Sequence, residues 1–176
     1  GESFDAKAHE PLLQAGQALN AKAVLVAADD VDLERLSEHY AQLCEFMVPF
    51  EMTANLEFMP WTGVKNIQDA LQVMALSGRP QNAGILIDAL HFGRSTSTLD
   101  DIGLIPAELL HYAQICDAQG GLDFTTQELI HTAREERLLP GEGTIELRGI
   151  FSKLDKDLPI SIEIPNKIRS SALGDS

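Results

Sequence analysis

Five short apolar runs divide the chain, at residues 22–27, 50–57, 83–88, 110–117 and 159–164. Between them apolar residues recur at helical spacing. The first run ends against Asp29 and Asp30. Over 32–48, Leu33, Leu36, Tyr40, Leu43, Phe46 and Met47 keep i, i+3, i+4 intervals and so share one helix stripe. Ile67, Leu71 and Met74 predict a helix over 66–76, stopped by Ser77-Gly78 with Pro80 beyond. Residues 95–105 read as helical, with Ser97 or Thr98 as the cap ahead of Asp100 and Asp101. Shorter helices are predicted around 12–19 and over 126–135 and 146–154, the last two separated by Pro140-Gly141-Glu142-Gly143.

Apolar runs of strand length that alternate with such helices imply βαβ units and a mostly parallel sheet. Each predicted strand ends in a polar residue: Asp29, Glu57, Asp88, Asp117 or Glu163. Open parallel sheets bind ligands beyond these carboxyl ends, and (βα)8 barrels carry their catalytic residues there. Side chains alternate faces along a strand, so Thr53, Asn55 and Glu57 share a face. So do Leu86 with Asp88, Tyr112 with Gln114 and Cys116, and Ser161 with Glu163. If the bulkier opposite sets lie under the helices, Glu57, Asp88, Gln114 and Glu163 face one interior. Three converging carboxylates repel unless they are protonated or neutralised by a cation. A divalent ion does this with oxygen ligands, and that donor set suits Mg²⁺ or Mn²⁺ better than a thiolate-seeking metal.

Two bland readings stand beside this one. A single acid at a strand end is commonly a helix N-cap, and a single glutamine is commonly a structural amide. His91, three residues after Asp88, either bonds the loop backbone or joins the site. His9, His39, His111 and His131 read as surface or packing residues, and Cys116 as small interior filler.

The 176 residues carry 13 Lys+Arg against 27 Asp+Glu, a net charge of −14. So acidic a chain repels phosphate backbones, and nucleic acid is not an expected partner. No apolar run approaches the roughly 18 residues that span a bilayer, and residues 1–6 lack a signal peptide's pattern, so no membrane association is expected. Cys44 and Cys116 form neither a disulfide framework nor a Cys-rich zinc site. One domain over 1–176 in a reducing cytoplasm is the expectation.

Leu56-Glu57-Phe58-Met59-Pro60, Ile87-Asp88-Ala89-Leu90-His91, Gln114-Ile115-Cys116-Asp117, Arg137-Leu138-Leu139-Pro140-Gly141-Glu142-Gly143 and Ser161-Ile162-Glu163 follow one another in a single order. Together they resemble the C-terminal five-eighths of a xylose-isomerase-like TIM barrel. That superfamily holds sugar and sugar-phosphate isomerases and epimerases, inosose-converting enzymes, 3-dehydroshikimate dehydratases and the endonuclease IV group. The resemblance implies an α/β parallel barrel of which this chain holds strands four to eight. The first three βα units and the last helix would be absent, leaving a fragment with two unpaired edges.

The resemblance also implies a divalent metal ion (Mg²⁺, Mn²⁺, Co²⁺ or Zn²⁺) held by Glu57, Asp88, Gln114 and Glu163. Glu57 and Glu163 would be the acid/base pair, His91 would join them as a catalytic donor to a substrate hydroxyl, and His91 and Arg137 would contact substrate. Gln114 stands where many members carry a histidine, and a glutamine there is similar to what some dehydroshikimate dehydratases use. The implied function is a sugar or sugar-phosphate isomerase or epimerase acting through an enediolate on a small polyhydroxylated carbonyl substrate. The alternatives are a dehydratase of the 3-dehydroshikimate or inosose type and an inactive barrel homologue without metal. The endonuclease branch calls for several zinc-binding histidines and a basic face, which this chain lacks. A homo-oligomer is allowed by the sequence.

Overall fold

The computed structural model describes residues 3–173; Gly1 and Glu2, part of the segment found above to lack a signal peptide's pattern, and the chain end at Ser176 lie outside them. In chain order the elements are α1 (Glu10–Ala18), β1 (Ala23–Ala27), α2 (Leu33–Met47), β2 (Thr53–Glu57), α3 (Ile67–Leu76) and β3 (Ala83–Asp88). They continue as α4 (Ala89–Gly93), α5 (Leu99–Ile102), β4 (Ala113–Ile115), α6 (Thr126–Glu135), α7 (Leu147–Ser152), β5 (Ile160–Ile162) and α8 (Lys167–Leu173).

The strands form one parallel sheet in sequence order, β1-β2-β3-β4-β5. This is the half-barrel that repeated βα units produce. The register staggers along the sheet: Ala27 faces Glu57, Glu57 faces Leu86, Asp88 faces Gln114 and Gln114 faces Ser161. All strand tips therefore emerge on one edge. Helix stripes cover the sheet's outer side, with Leu36, Tyr40, Leu43 and Met47 of α2 and Ile67, Ala70, Val73 and Met74 of α3 buried. The Tyr40 hydroxyl donates to the Ala54 carbonyl at 2.7 Å and accepts the Gly84 N–H at 3.1 Å, tying α2 to β2 and β3. Every residue of β3 is buried and every residue of β5 is exposed. No helix among the described residues is long and apolar enough to cross a membrane.

Several predicted boundaries move, each for a local reason. The strand expected over 50–57 starts only at Thr53, because Val48–Phe50 makes a 3₁₀ turn and Glu51 takes a left-handed φ of 56°. The helix expected over 95–105 shrinks to α5. A Thr98/Asp101 capping box starts it and Gly103 ends it. The strand expected over 110–117 shortens to Ala113–Ile115 after a 3₁₀ turn at Ala107–Leu109, and the run 159–164 pairs only over Ile160–Ile162. Two helices come without an apolar period: α4, capped by Asp88, and α8, which follows β5 where the pattern was expected to end. Asn166 starts α8 by accepting the Arg169 N–H at 2.9 Å.

Candidate functional site

Parallel strands in staggered register bring Glu57, Asp88 and Glu163 to one mouth of the half-barrel, with Gln114 facing Asp88 across the ladder. The fully buried Asp88 is a helix cap as well as a member of this cluster. Its Oδ1 accepts the His91 backbone N–H at 3.1 Å, starting α4, and its Oδ2 accepts Arg137 Nη1 at 2.6 Å. The cap turns α4 so that the His91 ring faces the carboxylates. His91 Nε2 lies 3.9 Å from Glu57 Oε1 and 4.0 Å from Asp88 Oδ1. One donor atom from each of Glu57, Asp88 and His91 lies within 4.8 Å of the others.

Arg137, just past α6, spans the remaining gap. Its Nη2 is 3.6 Å from Glu163 Oε1, its Nη1 reaches the Glu163 carbonyl at 3.4 Å and Cys116 Sγ at 3.5 Å, and its Nε donates to the Ala133 carbonyl at 3.0 Å. The residue is 2% exposed. Its donors are directed inward at this chain's own groups, which argues against the direct substrate contact that the resemblance implies for it.

Burial sets the charge states. Desolvation, then the charges of Asp88 and Glu163, push the Glu57 carboxyl up to about 8 against the pull of Arg137. Burial also raises Glu163, which is only partly covered, and lowers His91 to about 4, so its imidazole is neutral at pH 7. Burial pushes the Cys116 thiol up to about 11, which suits filler and not a nucleophile.

Four buried polar atoms at this mouth have no hydrogen-bond partner among the described residues: Glu57 Oε1, Gln114 Oε1, Glu163 Oε2 and His91 Nδ1. An orphaned buried acceptor costs about 1–3 kcal/mol, and three of the four are oxygen acceptors around converging carboxylates. That set fits a divalent cation with oxygen preference, and the histidine beside it keeps zinc or cobalt chemically acceptable.

The remaining strand tips do other work. Asp29 is exposed, and Asp30 is engaged by Arg35 at 2.6 and 2.7 Å. Asp117 organises a loop. Its Oδ1 accepts the Ala118 and Ile145 N–H groups and its Oδ2 accepts that of Gly141, holding Pro140 to Gly143 in place. At Gly143 a side chain would collide with the Asp117 carboxylate. His111 bonds the Ala83 carbonyl at 3.0 Å, and His131 lies on the surface against Glu136.

Trp61 and Arg94 beside the cluster escape sequence reasoning, and the sequence places Tyr112 only on the face of Gln114, with no site role. Trp61 meets the His91 ring at 5.0 Å and 80°, on a loop pinned by Thr62 Oγ1 to the Met59 and Val64 carbonyls. Tyr112 is raised to about 12 by burial and by the charges of Glu57, Glu163 and Asp88. Arg94 lies over the Phe124 ring at 3.9 Å and donates to the Gln119 carbonyl, clamping the loop after β4 onto α4. The one available signal was that Trp61 is the chain's single tryptophan, four residues past a strand tip.

The profile of the xylose isomerase-like TIM barrel family matches residues 8–174. No curated protein matches the sequence. Among solved structures, the chain is similar to the IolI protein with a bound zinc atom (TM-score 0.74, 19% identity, 93% of this chain and 64% of that one). It is also similar to the probable 3-DHS dehydratase AsbF from Bacillus anthracis (0.73, 17%, 89% and 62%). A third is the 3-keto-D-glucoside 4-epimerase YcjR from E. coli (0.70, 14%, 96% and 66%). At these identities the likeness is one of fold. The chain spans a little under two-thirds of the length of these structures.

Proposed function

The chain belongs to the xylose isomerase-like TIM barrel family, and from that premise we propose that it is the site-bearing part of a divalent-metal-dependent sugar isomerase or epimerase. Its five strands take the places of strands four to eight. The observation that carries this reading is the set of unpartnered buried donors, Glu57 Oε1, Gln114 Oε1, Glu163 Oε2 and His91 Nδ1, beside a fully buried Asp88. Glu57, Asp88, Gln114 and Glu163 would hold the ion. When bound, such an ion supplies Lewis-acid polarisation of a carbonyl and offsets the negative charge that develops on its oxygen.

The protein's own groups do the rest. Glu163, its side chain 34% exposed at the mouth, is the base placed to take the proton from the carbon beside the carbonyl. Its raised proton affinity makes it a stronger base than a solvated glutamate. Glu57, buried on the opposite side of Asp88, returns a proton to the resulting enediolate. Return to the other face gives an epimer, and return to the neighbouring carbon gives an isomer. Neutral His91 hydrogen-bonds a substrate hydroxyl, and Trp61 walls the pocket beside it. Arg137 holds the carboxylates' charge in balance.

A dehydratase reading is favoured by one observation, Gln114 at the ligand position commonly filled by histidine, and the likeness in fold to AsbF supports it. There the same enolate expels a β-hydroxyl, with His91 as its hydrogen-bond donor. The deciding experiment incubates full-length protein with Mg²⁺, Mn²⁺, Co²⁺ or Zn²⁺ in D₂O against ketohexoses, inososes, hydroxypyruvate and 3-dehydroshikimate. Deuterium at the carbon next to the carbonyl of a rearranged sugar supports the isomerase. Water loss with a new conjugated chromophore supports the dehydratase. Neither exchange nor product with any metal leaves the inactive homologue.

A further inference from the structure

Asp88 differs from the other acids at the mouth in that both of its oxygens are engaged: Oδ1 by the His91 N–H at 3.1 Å and Oδ2 by Arg137 at 2.6 Å. Among the described residues, Glu57, Gln114 and Glu163 each keep a buried oxygen without a hydrogen-bond partner. The orientation of Asp88 does not depend on Arg137, because β3 fixes its backbone and the first turn of α4 clamps its other oxygen. What Arg137 adds is charge. It is a buried guanidinium shared between Asp88 and Glu163, from strands that are not neighbours.

We propose that Arg137 is a built-in counter-cation: it neutralises the Asp88–Glu163 pair before any metal arrives and thereby limits how tightly the metal is held. The inference rests on the metal-site reading above. Acidic groups gathered at a largely buried mouth destabilise a metal-free fold, and a fixed positive charge relieves them. The same charge repels a divalent ion that shares those carboxylates. At the effective dielectric of about 20 suited to buried sites, a unit charge within a few ångströms changes such an ion's affinity by more than about tenfold. The competing view is that Arg137 merely orients its partners, as outer hydrogen-bond donors around metal ligands do, and removing those costs about 10–100-fold in affinity. The two views differ in sign.

The test is calorimetric titration of full-length protein with Co²⁺ at pH 8, with quenching of Trp61 as a second readout. Arg137→Gln is expected to melt at a lower temperature without metal yet to bind Co²⁺ at least about tenfold more tightly than wild type. Unchanged or weaker binding by folded Arg137→Gln overturns the proposal. Should that variant not fold, Arg137→Lys decides: it keeps the charge but not the two-armed geometry. Co²⁺ affinity within about threefold of wild type supports the counter-cation, and a loss of about tenfold or more overturns it. Wild type that binds no Co²⁺ sinks the metal-site reading and this inference with it, whereas wild type that binds while Arg137→Gln shows no gain sinks the inference alone.

Discussion

Glu57 and Glu163 are the same residue at the tips of two strands of one sheet, yet their surroundings differ. Glu57 closes β2, flanked on both sides by paired strands, and its side chain is 6% exposed. Glu163 follows β5, at the edge of the sheet, and its side chain is 34% exposed. The first is raised to about 8 by burial and by its acidic neighbours, whereas the second is raised while keeping access to the mouth and a partial hold on Arg137. Position within the sheet, and not residue type, divides them into a buried carboxyl and a partly exposed one, the division that the proposed proton donor and base would use.

The sharpest way to break this contrast is kinetic. If the proposed activity holds, Glu163→Gln in full-length protein is expected to lower kcat by about 10²–10⁴-fold, the size of a general base's contribution, while the melting temperature hardly moves. Normal turnover by that variant removes Glu163 from the chemistry. Next in size is Asp88→Ala, which strips α4 of its cap and leaves Arg137 buried without its closest partner. Chemical denaturation is expected to show a loss of about 3–5 kcal/mol, and metal retention should vanish. A loss below about 1 kcal/mol contradicts the buried pairing.

A smaller effect separates Glu57 from its edge counterpart by pH. The folded Glu57 holds its proton up to about pH 8, and an unfolded glutamate releases it near 4.5. Folded protein thus binds more protons across that window, so metal-free stability falls as pH rises through it. His91 acts the other way, because its folded value of about 4 lies below the unfolded 6.5; it adds stability as pH rises between those two values. Above 6.5 the His91 effect is complete, and the Glu57 effect continues. The expected slope is at most about 1.4 kcal/mol per pH unit between pH 6.5 and 8, and Glu57→Gln should flatten it. An unaltered slope in that variant assigns the proton elsewhere. Smallest is Ile162→Thr on the exposed edge, where the side chain contributes little and the expected change in this 176-residue chain is within about 0.5 kcal/mol. Repeating it in full-length protein sharpens the contrast, since a loss of 1 kcal/mol or more there would mean that β5 is covered.

Much of the architecture is written locally. The caps Asp32, Asn66, Thr98 and Thr125 start the helices their positions announce, α6 covers the predicted 126–135, and β3 covers the predicted 83–88. Two-residue alternation also brought Glu57 and Asp88 toward a common mouth, because a parallel strand has little choice of which face its tip shows. Short-range information of this kind comes from backbone sterics and capping hydrogen bonds that span three or four residues.

What the sequence determined by itself is therefore the order of strands and helices, the family pattern and the identity of the acids at the strand tips. Tertiary structure decided which of those acids meet. It separated Asp117, spent on three loop N–H groups, from Asp88, and it set Arg137 against an aspartate 49 positions away. It placed Trp61 beside His91 and shortened β4 and β5 to the residues their neighbours could pair. These outcomes depend on the stagger between strands and on how much water the packing leaves at each tip, quantities that belong to the assembled sheet and to no single stretch of chain.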